Sequence, residues 1–239
     1  MNLADATILI ADDEPELLRF FERWFARQGC RVLVAGNGLE GLDAARQNDV
    51  DLIVSDSRMP QMDGVEMITQ IKIVKQTLPT TIFVSGFTDF AARGLYDLGV
   101  EAMLHKPMSR QDLMTAAQRC LTPKQERWHA SSAGVGRPVI GSQFESLSIA
   151  VQAGGIAIGR GGFCCRSDMT FRDNQQVLLQ IAFAADQQAL NGEGTVRWTD
   201  HLAGLVGVEI TSIEDAHRDW VIGVTNTAVC DAFIPAKIQ

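Results

Sequence analysis

Hydrophobic and polar positions follow two alternating periods along the first 120 residues. Thr7–Ala11 is a short apolar run, and from Pro15 onward Leu17, Leu18, Phe21, Trp24 and Phe25 recur at three- and four-residue spacing until Gly29. That pattern predicts a strand, then a helix opened by proline and stopped by glycine. The alternation repeats, with strands expected over Arg31–Ala35, Asp51–Ser55, Thr81–Val84 and Ala102–Leu104. Helices are expected over Gly38–Arg46, Val65–Val74, Asp89–Leu98 and Arg110–Leu121. Near-continuous apolar strands separated by helices predict an α/β fold, a five-stranded doubly wound parallel sheet covered on both faces.

The pattern changes after residue 122. A connector is expected over 123–139, small, polar and Gly-rich in its second stretch, with Trp128 placed to pack on either domain or on a partner chain. Beyond it, Phe144–Val151 partly alternates and Gly154-Gly155 reads as a turn. Ile156–Cys165 is punctuated by glycine, and Gln176–Ala184, Gly194–Trp198 and Leu205–Ile210 read as strands. Asn191-Gly192-Glu193-Gly194 carries a hairpin-turn signal. Ile213–Val221 is the one clearly helical stretch, with Glu214 and Asp215 near its start. The expectation is a second domain over 140–239, a small antiparallel β-barrel plus a terminal helix.

Composition narrows the function classes. The 239 residues carry 29 acids against 21 bases, a formal charge of −8. The excess is shared, with 17 acids to 12 bases before residue 121 and 12 to 9 after it. Neither half has the positive field that holds phosphate backbones, so nucleic-acid binding is disfavoured. The N-terminal residues lack a basic segment followed by an apolar stretch, and no run is long and apolar enough to span a membrane. Five cysteines without a C-x-x-C pair read as buried thiols in a reducing cytoplasm. The Cys164-Cys165 pair is expected to place one thiol in the core. Four scattered histidines suggest no metal cluster.

The polar residues that carry chemistry fall at the carboxyl ends of the first-half strands, where open α/β sheets bind ligands. Asp12, Asp13 and Glu14 follow the first strand, Asp56 the third, Ser85 the fourth and Lys106 the fifth. Taken singly each has a plainer reading: helix caps for Asp12 and Asp13, a loop acid for Asp56, a turn for Ser85-Gly86, a surface charge for Lys106. Together at one rim they read as a magnesium-assisted phosphoryl-acceptor site. Clustered carboxylates repel unless a hard divalent cation joins them, and an ammonium and a hydroxyl suit phosphoryl oxygens.

Residues 5–122 resemble the receiver domain of two-component response regulators, whose sheet is flavodoxin-like. The resemblance rests on Asp12-Asp13-Glu14-Pro15, Asp56-Ser57-Arg58-Met59-Pro60-Gln61-Met62-Asp63-Gly64, Ser85-Gly86 and Lys106-Pro107. It implies that Asp56 accepts a phosphoryl group from a histidine kinase or histidine phosphotransfer protein. Asp13, Asp56 and the Arg58 backbone carbonyl would hold Mg²⁺ directly, Asp12 would assist through water, and Ser85 and Lys106 would bind phosphoryl oxygens. The chain would then be no enzyme beyond its own phosphoryl transfer and dephosphorylation. Family members usually carry Tyr or Phe three residues before the lysine, a ring that moves with the hydroxyl residue. Met103 stands there, so the Ser85–Met103 pair departs from the usual aromatic switch. Arg58 and Phe87, each two residues past a site residue, are expected to shield the phosphoryl group from water.

The second half is similar, in the order of its segments over about 140–225, to a PilZ domain, the family whose complete members bind cyclic di-GMP. The segments are Ala157–Phe163, Gly194–Trp198 and Gly204–Ile210. The arginine pair of complete members is reduced to Arg137, and their D/N-x-S-x-x-G positions hold Ala157, Gly159 and Gly162. Arg160, with Arg166 and Arg172, is the remaining guanidinium source. Each lost charge-assisted bond costs about 1.5–3 kcal/mol. The domain therefore reads as a degenerate barrel that binds a downstream protein rather than the dinucleotide. The first alternative is a cyclic di-GMP receptor, using Arg137 and Arg160. The second, disfavoured, is a DNA-binding transcriptional regulator. A homodimer, an unknown protein partner and a cytoplasmic location complete these expectations.

Overall fold

The computed structural model describes residues 3–75, 79–86, 92–129, 136–227 and 232–238. They form two compact units. The first comprises Met1–Ala91 and Leu98–Pro123, the second Ala92–Asp97 and Lys124–Gln239.

In the first unit a 3₁₀ turn over Leu3–Asp5 leads into β1 (Thr7–Ala11), α1 (Pro15–Ala26), β2 (Arg31–Ala35), α2 (Gly38–Gln47) and β3 (Leu52–Ser55). There follow α3 (Gly64–Val74), β4 (Thr80–Ser85), α4 (Ala92–Leu98, all but its last residue counted with the second unit), β5 (Ala102–His105) and α5 (Arg110–Leu121). The strands pair in parallel in the order β2-β1-β3-β4-β5, as the alternating pattern predicts. Helix α4 starts later than the expected Asp89, and residues 87–91 lie outside the described segments. Ile8, Ile10, Leu52, Val54, Ile82 and Val84 share one buried cluster with Phe21 and Phe25 of α1 and Leu113 and Ala117 of α5. On the strand side chains that alternate with these, Leu9, Ile53 and Phe83 are buried as well. Burial on both faces explains why these strands read as continuous apolar runs.

Local signals set the helix starts. Asn37 caps α2, its side chain accepting the Glu40 N–H, and Asp63 caps α3 by accepting from Glu66. Ser109 and Asp112 form a reciprocal capping box on α5.

The second unit contains α6 (Lys124–Arg127), β6 (Val139–Phe144), α7 (Leu147–Gln152), β7 (Ile156–Ile158) and β8 (Gly162–Arg166). It continues with β9 (Gln176–Phe183), β10 (Gln188–Asp200), β11 (Leu205–Ile213) and α8 (Asp215–Asn226). One six-stranded sheet runs β6-β9-β10-β11-β8-β7 and curls around a core of Phe163, Ile181, Val196, Val208 and Ile210, closed by Val221 and Ile222 of α8. The small β-domain with a terminal helix is thus as expected, with two differences: β6 adds to β9 in parallel, so the sheet is mixed, and its order ends at β6 and β7 instead of closing into a barrel.

Two local readings are corrected. Phe144–Val151 is not a strand: β6 ends at Phe144, and Ser146 caps a short helix by accepting the Ile149 N–H at 3.3 Å. Asn191–Gly194 is not a hairpin turn but the middle of β10, the turn falling at 184–187, where Gln187 takes φ 52°. The glycines there serve close packing: a Cβ on Gly192 would lie 2.1 Å from the Ser212 carbonyl oxygen, and the register shifts between Glu193 and Gly194. Cys164 and Cys165 are both buried, and one of them faces the core as expected. Cys165 sits in the sheet core while Cys164 lies on the other face, within electrostatic reach of Arg93, Arg166, Asp97 and Asp200. Burial pushes both thiols up to about 12. Trp128, placed in the connector by sequence, is fully buried in the second unit's core. Its carbonyl accepts from the Ile213 N–H at 3.2 Å and from Arg218 at 3.0 Å.

Candidate functional site

The carboxyl ends of β1, β3, β4 and β5 bring Asp12, Asp56, Ser85 and Lys106 to one edge of the parallel sheet. Backbone bonds fix each strand end: Asp12 N–H donates to Ala35, Asp56 N–H to Ala11 at 2.8 Å, and Lys106 N–H to Ser85 at 2.9 Å. The loop after β3 folds tightly over the site. Gly64 N–H donates to the Ser57 carbonyl, and a Cβ on Gly64 would lie 2.1 Å from the Asp56 carbonyl oxygen. Only glycine permits that approach.

Lys106 Nζ lies 2.7 Å from Asp56 Oδ2, 2.9 Å from Asp12 Oδ2 and 3.3 Å from Glu14 Oε1. The Asp12 side chain is 1% exposed and that of Asp56 10%, whereas Glu14 is 62% exposed. The strong pairs are therefore the two buried ones. The remaining oxygens are held by backbone donors: Glu14 N–H to Asp12 Oδ1 at 2.9 Å and Arg58 N–H to Asp56 Oδ1 at 3.0 Å. Burial pushes the Asp12 carboxyl above its ordinary range, and the hydrogen bonds from Lys106 and Glu14 oppose this only in part. Burial also works against the Lys106 charge, but its bonds to Asp56 and Asp12 outweigh it and raise the ammonium's affinity for its proton.

Carboxylate oxygens of Asp12, Asp13 and Asp56 lie within 4.8 Å of one another. Three acids meet one ammonium there, leaving two negative charges uncompensated when all are ionised. An all-oxygen donor set with that deficit fits a hard divalent cation.

Sequence reasoning missed Ser57. This buried hydroxyl donates to Ser85 Oγ at 2.6 Å and stands 3.5 Å from Asp56 Oδ1. Its single proton serves the shorter bond. The only signal in the chain was its place directly after Asp56. The Arg58 side chain is exposed. Met103 lies on β5 in register with Phe83, while Ser85 faces His105. Phe87 lies outside the described residues.

Of the arginines singled out in the second half, one guanidinium is seen in an ion pair and another residue is held by its backbone. Arg137 Nη1 pairs with Glu193 at 3.0 Å, and the Arg160 backbone N–H donates to the Ala232 carbonyl at 2.8 Å. Among the described residues no helix is long and apolar enough to cross a membrane.

A doubly wound parallel sheet with clustered acids, a hydroxyl and a lysine at its carboxyl edge defines the first unit's class. The response regulator receiver domain family matches residues 8–118, and that part of the chain is such a receiver domain. The chain is 31% identical over 132 residues to the transcriptional regulatory protein GlrR of Escherichia coli, covering 54% of this chain and 30% of that protein. It is 28% identical over 142 residues to the transcriptional regulatory protein SrrA of Staphylococcus aureus, covering 59% and 58%. A solved receiver domain protein from Clostridium thermocellum aligns at 28% identity and a TM-score of 0.46 over 51% of this chain and 98% of that one. The chain thus spans less than two thirds of these curated relatives.

Proposed function

We propose that this chain is a phosphorylation-controlled regulator in which Asp56 accepts a phosphoryl group from a phosphohistidine of a kinase or phosphotransfer protein. The observation that carries this reading is the Lys106 ammonium bridging the buried carboxylates Asp12 and Asp56 at 2.9 and 2.7 Å. A carboxylate oxygen of Asp56 attacks phosphorus; the P–O bond forms as the P–N bond breaks, and the histidine nitrogen leaves with the electron pair and takes up a proton. Asp12, Asp13, Asp56 and the Arg58 carbonyl would hold Mg²⁺, which when bound neutralises phosphoryl charge. Lys106, kept protonated by its two partners, supplies a fixed positive charge at the acyl phosphate. Ser85, held by the Ser57 hydroxyl at 2.6 Å, would bind a phosphoryl oxygen. Catalysis of this kind is positioning plus electrostatics.

The second unit is proposed as a degenerate PilZ-like module that passes the signal to a protein. The pairing of Arg137 with Glu193 supports this over dinucleotide binding, since a guanidinium held by a carboxylate is a poorer phosphate ligand. GlrR and SrrA are named as transcriptional regulatory proteins, so the other output considered is transcriptional regulation. A gel-shift screen of genomic fragments decides between the two.

Incubation of the full chain with acetyl phosphate and Mg²⁺, followed by intact mass measurement, tests the acceptor reading. One added phosphoryl group is expected in the wild type and none in Asp56→Asn. Equal labelling of both, or no labelling, overturns it.

A further inference from the structure

The glycine-rich turn between β7 and β8 is filled by the chain itself. Arg160 N–H donates to the Ala232 carbonyl at 2.8 Å, and Gly161 N–H to the Phe233 carbonyl at 3.0 Å. A Cβ on Gly161 would lie 1.8 Å from the Phe233 ring, and one on Gly159 would lie 2.6 Å from the Phe233 carbonyl oxygen. The glycines are what admits this extended segment against the turn. Ala232, Phe233 and Ile234 are at most 2% exposed. Backbone donors that a phosphate would need at such a turn are already committed to peptide carbonyls.

The same segment grips Ala92–Asp97, which belongs by its contacts to the second unit. The N–H groups of Phe233 and Ile234 donate to the Tyr96 carbonyl at 2.8 and 3.3 Å. Ala236 N–H donates to the Asp97 carboxylate at 2.7 Å, and Arg93 Nε to the Ala236 carbonyl at 2.5 Å. The Tyr96 and Phe233 rings lie 6.2 Å apart. Arg93 also pairs with Asp200 and stands 4.9 Å over the Trp198 ring.

We propose that the Gly159–Gly162 turn is a peptide cradle, and that Ala232–Ala236 is a latch seated in it that restrains Ala92–Asp97 until Asp56 is phosphorylated. The latch follows from the contacts alone. Its control rests on the acceptor-site reading. Ala92 comes seven residues after Ser85, so the segment that the latch holds follows the acceptor site closely in the chain. The latch is closed while Asp56 is unmodified. Coupling being reciprocal, phosphorylation loosens the latch, and loosening the latch favours phosphorylation.

Hydrogen exchange on the full chain tests both parts. Asp97 is exposed, so Asp97→Ala removes one latch bond without emptying a packed site; Phe233→Ala removes the anchor. Either variant should speed exchange at 92–97 and 232–238 while β9–β11 stay protected. Wild-type rates at 92–97 in both variants would overturn the latch. Beryllofluoride with Mg²⁺ should speed the same two segments in the wild type. An adduct on Asp56 that leaves both unchanged would overturn the coupling and spare the latch. Failure to form any adduct counts against the acceptor reading, and the two variants still decide the latch. Heat on titrating the wild type with cyclic di-GMP, lost in Gly161→Val, would overturn the peptide cradle.

Discussion

Replacing Lys106 by alanine isolates the electrostatic core of the account. The ammonium sits 2.7 Å from Asp56 and 2.9 Å from Asp12, and the lysine side chain is only 17% exposed. Removing one partner of a buried pair leaves uncompensated charge and costs about 3–5 kcal/mol. Taking the lower figure, because the site edges onto solvent, the first unit should lose about 3 kcal/mol. That corresponds to on the order of 10–15 °C in its melting temperature. In the wild type the Lys106 pKa is raised, so its contribution is fully present below the unfolded lysine pKa of about 10.4 and is lost as pH rises through the folded value. In Lys106→Ala the carboxyls carry the linkage instead. Asp12 is already raised by burial, so the variant's stability should recover as pH falls and Asp12 takes a proton. Mg²⁺ should narrow the gap at neutral pH, because bound cation replaces the missing charge. Thermal melts of both proteins from pH 4 to 8, with and without Mg²⁺, give the comparison. A variant that melts at or above the wild type in chelator at neutral pH would refute the reasoning.

Other perturbations follow from single contacts. Ser57→Ala removes the donor to Ser85 and should slow acceptance from acetyl phosphate about fivefold, the kinetic equivalent of one ordinary hydrogen bond; unchanged single-turnover kinetics would remove Ser57 from the site. Gly64→Ala drives a methyl to 2.1 Å from the Asp56 carbonyl, so a loss of about 1–3 kcal/mol is expected in denaturant melts together with reduced labelling of Asp56. Trp128→Ala empties a fully buried site in the second unit and should cost it about 3–5 kcal/mol, read by near-ultraviolet circular dichroism. With thiols pushed up to about 12, Cys164 and Cys165 should resist iodoacetamide at pH 8 until the protein is unfolded; peptide mapping of the native protein checks this.

Much of the first unit was legible because its strands are buried on both faces and its helices on one. Period alone separates those two conditions, and turn residues mark the boundaries. The site was legible for a related reason: four strand ends carry Asp12, Asp56, Ser85 and Lys106, and parallel topology forces those ends together. What stayed hidden depended on distance in space. Ser57 looks like any loop serine until β4 places Ser85 beside it. Gly192 reads as a turn residue because glycine permits turns, yet its place in β10 is set by the approach of Ser212 from β11. Gly159 and Gly161 read only as punctuation within Ile156–Cys165, and nothing nearby in the sequence shows that residues some 70 positions later pack against them. Ser146 was legible in principle, since a serine before Leu147, Ala150 and Val151 is a helix-start signal; partial alternation masked it.

The most direct measurement traps the acyl phosphate chemically. The 239-residue chain treated with acetyl phosphate and Mg²⁺, then reduced with borohydride and digested, should yield homoserine at position 56, and only when the cation is present. Homoserine at another carboxylate, or none at 56 under conditions where the fold is intact, would contradict the account.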